Sequence, residues 1–373
     1  VPDCKSLRYL ALVAGKRKGW MDFSSVLENP VGKFLADETL TVRDNMLIYF
    51  TSGTSGMPKM VVHDYSYPLG HLATACYWQN VQENGLHLTG VDSGWAKFGW
   101  GCIYGQWMAG CAVLGYDCNG KFNPQKMLEV IRKKKPTSLC VPATVYRFFM
   151  KAGVTKGDFS SISYCCTAGE PLSPEITREF QKLTGLTIHE GFGQSESSVL
   201  VANYPWFEPK PGSMGKPSPL YDIALVRDDG TLCAPGEEGE LVVRNLDQYY
   251  PEGLLRGYWK DGKLTPVYDK NYVYHTGDIA WQDEEGYFWF IGRNDDIIKC
   301  SGYRIGPFEI ESVLMTHPAV QECAITGAPH PIRGQVVKAT IVLSDGYRAT
   351  DRLTKEIQDY VKQMTAPYKY PRV

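Results

Sequence analysis

Between two apolar runs, LIYF (Leu47 to Phe50) and MVVH (Met60 to His63), the chain reads TSGTSGMPK from Thr51 to Lys59. Two glycines, four hydroxyls and one lysine in nine residues leave backbone N–H groups free to turn inward, which suits a polyphosphate. In a strand-to-helix phosphate loop the lysine opens a helix. Here Pro58 precedes the lysine and disfavours helical backbone at Met57, and the residues beyond read as strand. The loop is therefore expected between two strands, with Thr51, Ser52, Gly53, Thr54, Ser55, Gly56 and Lys59 as its phosphate-facing candidates. A polar hairpin turn is the alternative reading.

Around this loop, short β-rich runs alternate with amphipathic stretches. LIYF, MVVH, TSLCVP (137–142), SISYCCTAG (161–169) and TIHEGFG (187–193) read as strands, and 124–134 and 174–183 as helices. That alternation predicts an α/β fold with a largely parallel sheet covered by helices. From about Gly212, Gly, Pro and Asp separate β-branched runs, which predicts a mostly antiparallel β unit over about 212–293. Beyond Gly292 follow a charged, glycine-bearing segment, a helix over 308–316, two strand-like runs and a second helix over 351–364. The expected organisation is a large domain over 1–293 and a small hinged α+β domain over 294–373, or one fold with a lid.

With 373 residues, two domains are the natural expectation. Thirty-nine basic against 41 acidic side chains give a net charge of −2, so neither nucleic acid nor an anionic membrane is expected as a partner. Oligomeric state is not legible. The 11 cysteines show no ligand or disulfide spacing and read as reduced core thiols of a cytoplasmic protein. No apolar run is long enough to span a bilayer.

The loop, with its flanking strands, resembles the signature motif of the adenylate-forming superfamily, which includes acyl-CoA synthetases, peptide-synthetase adenylation domains and luciferases. Further motifs follow in that superfamily's order: AGEPLSPE (168–175), EGFGQSE (190–196), GELVVR (239–244), HTGD (275–278) and GRNDDIIKCSGYRIGPFEIE (292–311). Through DDII, SGYRIGPFEIE, HPAVQE, PIRGQVVKA and APYKYPR the chain is most similar to the medium-chain acyl-CoA synthetases.

The resemblance implies ATP, Mg²⁺ and coenzyme A as cofactor and co-substrates, with a carboxylic acid activated as acyl-AMP. Attack on the α-phosphorus gathers negative charge on phosphate oxygens, which Lys59 and loop donors would meet. Glu196 would hold Mg²⁺, for which a carboxylate oxygen is the fitting donor. Gly169, Glu170 and Pro171 would form the adenine turn, and Glu190, Gly191, Phe192, Gly193, Gln194 and Ser195 would wrap adenine and α-phosphate. Asp278 and Arg293 would meet the ribose hydroxyls, Arg304 the α-phosphate in one orientation of the small domain, and Asp295 would be the hinge. Ser301, Gly302 and Tyr303 would line the pantetheine path, with Arg333, Lys362 and Tyr370 at the nucleotide end of coenzyme A. A solvated helix face also accounts for Lys362.

Acetate-activating relatives carry tryptophan where this chain has Gly193, so the missing indole is expected to admit a medium-chain, branched or aromatic acid. GWAKFGW (94–100) offers Trp95, Lys97 and Trp100 as further pocket residues, or else a core stripe. Lys97 would pair with the substrate carboxylate or an internal acid. Against the family pattern, an N-terminal portion precedes Val1 and a closing lysine motif follows Val373, so this sequence is expected to be part of a longer chain, weak in adenylation but competent in thioester formation. A carrier-protein adenylation domain and a non-catalytic nucleotide-binding remnant are the competing readings.

Overall fold

The structure, a computed structural model, describes residues 10–13, 15–28, 39–51, 58–118, 120, 122–301 and 303–373. It divides into two units, Val1–Thr41 and Val42–Val373. In the first, a short parallel pair, Ala11–Leu12 with Met21–Asp22, leads into the helix Phe23–Leu27.

The second unit is built on a seven-stranded sheet. Leu86–Thr89, Ala112–Val113, Ser138–Cys140, Tyr164–Thr167 and Ile188–Gly193 run parallel, and Val199–Ala202 and Lys216–Pro217 extend it antiparallel. The fold is α/β, as the strand and helix alternation implies. Pro124–Lys134 is helical because Asn123 accepts from the Lys126 N–H at 3.1 Å, Pro124 pre-sets the first turn, and Lys135 ends it in the left-handed conformation at φ +53°. Met127, Leu128 and Ile131 face the sheet at helical spacing and are buried, each stabilising the fold by roughly 1.5–3 kcal/mol. Pro174–Thr184 likewise starts on a proline, without a side-chain cap, and has Ile176 and Phe180 inward and Gly185 as its left-handed stop. These helices and the parallel strands share one core.

LIYF and MVVH do not join the parallel sheet. Asn45–Thr51 and Lys59–Asp64 pair antiparallel, Thr51 opposite Lys59, and continue into Gly257–Lys260 and Lys263–Thr265. A short loop can return a strand only antiparallel, because a parallel partner needs a long crossover. The region 212–293 is correspondingly shared out. Ile223–Val226, Glu238–Val243, Tyr274–Gln282 and Phe288–Arg293 make their own antiparallel sheet, while 257–265 serves the loop hairpin.

Toward the C-terminus, Ile298–Cys300, Tyr303–Ile305, Val320–His330 and Gly334–Leu343 form a fourth sheet. Helices Pro307–Leu314 and Asp351–Met364 share a separate core with it. Sequence periodicity missed the helices Tyr67–Leu72 and Ala96–Cys102, the first continuing as a wider π-type turn over Ala73–Trp78. Both are rich in aromatic residues and glycine, which carry little helical signal. Among the described residues no helix is long and apolar enough to cross a membrane, and the cysteines are free thiols.

Candidate active site

At the carboxyl ends of Tyr164–Thr167 and Ile188–Gly193, where open α/β sheets commonly hold ligands, lies a cavity of about 280 Å³. It gathers Gly169, Glu170, Pro171, the run from Glu190 to Gln194, Asp278 and Arg293. Met214 and Phe290 supply apolar wall, and the Phe192 and Phe290 rings lie 6.1 Å apart. Asp278 and Arg293 meet because they are register partners on adjacent antiparallel strands.

The carboxyls of this cavity differ in state. The Glu170 carboxylate turns away and accepts from the Thr144 N–H at 2.5 Å and the Thr144 hydroxyl at 3.0 Å, satisfying the start of helix Ala143–Lys151. The Glu170 carboxylate is thus engaged within the protein, while the turn itself lines the cavity. Glu190 is 6% exposed. Its Oε1 accepts from the Leu172 N–H at 3.4 Å, and the buried Oε2 has no partner. Burial pushes its pKa up to about 8, so it is largely neutral at pH 7. Burial likewise raises Asp278 to about 7, opposed by the Arg293 guanidinium (Nε to Oδ1, 3.8 Å) and by the Gln194 amide, which donates to Oδ2 at 2.5 Å. Tyr274 donates to the Gln194 carbonyl at 2.7 Å and so fixes which end of that amide faces Asp278. The Arg293 guanidinium also reaches Asp295, at 3.5 Å.

Lys59 and Glu196 come together through a residue that the sequence did not single out. The Tyr258 hydroxyl donates to Glu196 Oε1 at 2.9 Å, and Lys59 Nζ lies over the Tyr258 ring, 5.3 Å from its centroid. Burial and the Glu196 charge push the phenol pKa up, so it stays a donor. The adjacent Ser195 carbonyl accepts from His63 Nε2 at 2.7 Å, tying the Glu196 turn to the strand that follows the loop. Ser52, Gly53, Thr54, Ser55 and Gly56 lie outside the described residues, as does Gly302.

The acyl-pocket candidates separate. Trp95 is 68% exposed. Trp100 is buried, donates to the Tyr67 hydroxyl at 3.3 Å and meets Trp78 edge to face. A Cβ on Gly193 would lie 2.5 Å from its indole Cη2 and 2.7 Å from the Ser198 carbonyl oxygen. The space beside Gly193 is therefore taken by an indole from another element. Lys97 makes no ion pair with an internal acid among the described residues; its ammonium donates to the carbonyl of Ala168, next to the Gly169 turn, at 2.7 Å.

The C-terminal candidates do not join this cavity. Arg304 pairs with Asp228 at 2.8 Å and lines a larger cleft with Trp281, Trp289 and Phe308. Ser301, at φ +51°, accepts from Arg333 at 3.4 Å; Tyr303 stacks on Tyr368 at 4.1 Å; Lys362 pairs with Asp359 at 3.0 Å and lies over the Tyr370 ring. Tyr274 carried no signal beyond its place next to the 275–278 motif, and Tyr258 carried none.

The profile of the family described as AMP-binding enzyme matches residues 10–259, and that of the AMP-binding enzyme C-terminal domain matches residues 309–373. The chain belongs to the AMP-binding enzyme family. Within it, the chain is 39% identical over 377 residues to acyl-coenzyme A synthetase ACSM3, mitochondrial, of Rattus norvegicus, covering 99% of this chain and 64% of that protein. It is 41% identical over 364 residues to 4-hydroxybutyrate–CoA ligase 1 of Metallosphaera sedula, covering 97% and 63%. The chain thus spans a little under two thirds of the length of these curated relatives. Among solved structures, the anthranilate CoA ligase AuaEII in complex with anthranoyl-AMP matches with a TM-score of 0.84 and 27% identity, over 99% of this chain and 69% of that one.

Proposed function

We propose that this chain activates a carboxylic acid as its acyl-AMP, releasing pyrophosphate from ATP, and passes the acyl group to the thiol of coenzyme A. The observation that carries the reading is the single cavity in which the Gly169 turn, the Glu190 to Gln194 run, Asp278 and Arg293 converge. Relatives named acyl-coenzyme A synthetase and CoA ligase support it. Phe192, Phe290 and Met214 would sandwich the adenine, with Glu190 at its edge. Asp278, held by Gln194 and Arg293, would accept from the ribose hydroxyls.

Thr51, Ser52, Gly53, Thr54, Ser55, Gly56 and Lys59 would hold the β- and γ-phosphates, with Ser195 near the α-phosphate. Among the described residues no group of three or more His, Cys, Asp or Glu side chains could hold a metal ion. Glu196, with the Tyr258 hydroxyl on its Oε1, is the carboxylate that would hold Mg²⁺, water and phosphate oxygens completing the shell of this hard cation. When bound, the ion would neutralise charge on the phosphates. Lys59 would offset the charge that grows as the carboxylate oxygen bonds to the α-phosphorus and pyrophosphate leaves. The coenzyme A sulfur then attacks the acyl carbonyl and AMP leaves.

The reading includes a large domain to about residue 293, with its β-rich part from about 212, and a small domain over 294–373 turning at Asp295. Rotation there would bring Arg304 to the α-phosphate, or Ser301, Gly302 and Tyr303 to the pantetheine, with Arg333, Lys362 and Tyr370 at the far end of coenzyme A. Trp100 would close the acyl pocket beside Gly193, with Lys97 and Trp95 at its margin, selecting a medium-chain, branched or aromatic acid. The free buried thiols favour a reducing compartment, the cytoplasm among them.

Two assays over one panel of acids test this: exchange of labelled pyrophosphate into ATP, and coenzyme A-dependent release of AMP from synthetic acyl-AMP. Activity with butyrate-to-octanoate or benzoate-like acids is expected. Inactivity in both assays overturns the reading, and activity with acetate alone overturns the acyl-pocket assignment.

A further inference from the structure

Tyr258 belongs to Gly257–Lys260, which pairs antiparallel with Lys59–Asp64 so that Tyr258 stands opposite Val61. Lys59, two residues before Val61, is then its diagonal neighbour on the same face, a spacing that long and aromatic side chains bridge. This register puts the Lys59 ammonium over the ring at 5.3 Å. Glu196 arrives from a different sheet, in the turn between Ile188–Gly193 and Val199–Ala202. Two bonds from one short segment hold it: the Leu255 N–H donates to its backbone carbonyl at 2.8 Å, and the Tyr258 hydroxyl to its Oε1 at 2.9 Å. One side chain thus uses its ring face for the cation and its hydroxyl for the anion.

We infer that Tyr258 is a positioning residue, setting the separation between Lys59 and Glu196 so that both meet the phosphates of one nucleotide. The inference deepens the proposed function and rests on it. The ring keeps the ammonium from collapsing onto the carboxylate, since a lysine over an aromatic face is attracted there without neutralising a nearby acid. The hydroxyl occupies one carboxylate oxygen and orients the other. Supporting hydrogen bonds of this kind typically change metal affinity by 10- to 100-fold when removed.

Binding of a non-hydrolysable ATP analogue, measured by calorimetry in EDTA and in Mg²⁺, separates the two roles. In Tyr258→Phe the ring remains, so affinity in EDTA stays within about twofold of the unsubstituted chain, while the gain on adding Mg²⁺ falls by about 10-fold. In Tyr258→Leu the ring is also lost, and affinity in EDTA falls by roughly two- to fivefold as well. Thermal melting of each variant reports its folding, and the phenylalanine variant carries the test if the leucine variant fails to fold. An unchanged Mg²⁺ gain in Tyr258→Phe overturns the inference while leaving the nucleotide site standing. No analogue binding by the unsubstituted chain overturns both.

Discussion

Asp278 sits in the cavity wall, 3% exposed, and burial raises its carboxyl from an ordinary 3.8 to about 7. Between those values the folded state holds a proton that the unfolded chain has released. The associated stability is therefore complete below about pH 4 and is lost as pH climbs through about 7. The loss is on the order of a few kcal/mol. Asparagine has no charge to bury, so Asp278→Asn is expected to melt at a higher temperature than the unsubstituted chain at pH 8 and close to it at pH 4, while AMP affinity drops by at least about 10-fold. Thermal melts at both values and an AMP titration check the pair. Glu190, raised to about 8 by the same cause, follows the same sign one step higher. Glu190→Gln should be nearly neutral at pH 4 and stabilising at pH 7 and above. Glu190→Ala, which strips the Leu172 N–H of its acceptor, should cost about 1–3 kcal/mol in denaturant unfolding. Sequence motifs pointed to both acids by resemblance; their protonation was not legible, because burial is a property of packing from Leu172, Phe290 and other segments far along the chain.

Elements read well where their signals are local. The helix Pro124–Lys134 was legible to the residue, because Asn123 and Pro124 mark its start and Met127, Leu128 and Ile131 its inner face. Leu128→Ala should cost about 2–5 kcal/mol. The loop hairpin was legible as two strands but not in its sheet, since its further partners lie near residue 260, some 200 positions away. Ala96–Cys102 was seen only as an aromatic stretch, and its packing gives Lys97 a bond no spacing rule foretells. That ammonium joins the helix to the carbonyl of Ala168, beside the Gly169 turn. Lys97→Met is expected to cost about 1.5–3 kcal/mol in urea unfolding, in line with hydrogen bonds to charged groups. AMP affinity should weaken with it if the Gly169 turn holds adenine as proposed, because that turn loses its strut.

At the scale of the molecule, Arg304 pairs with Asp228 and lines a cleft other than the one that holds Asp278 and Arg293. The contact is an exposed ion pair, with Asp228 87% exposed, so it does little to fix the arrangement. Asp228→Ala should move the unfolding midpoint by no more than that of an ordinary surface substitution, which a denaturant titration reads directly. The rotation proposed at Asp295 admits a stronger test. Asp295→Pro, which fixes φ near −65°, should slow the complete acid-to-thioester reaction far more than either half-reaction assayed alone. The order of motifs made the site's membership legible, but which of its parts touch at one time is set by the orientation of two separately cored sheets, and no local pattern encodes that.

The indole lodged against Gly193 has a practical consequence. If the acid is bound beside Gly193 as proposed, it would meet Trp100, which lies edge-on to a second buried tryptophan, and the chain would carry its own optical gauge. Emission should change colour or intensity as different acids are titrated in, and the change should vanish in Trp100→Phe, which separates this ring from the other eight tryptophans of the chain. Substrate choice could then be surveyed in a cuvette, free of dyes and turnover.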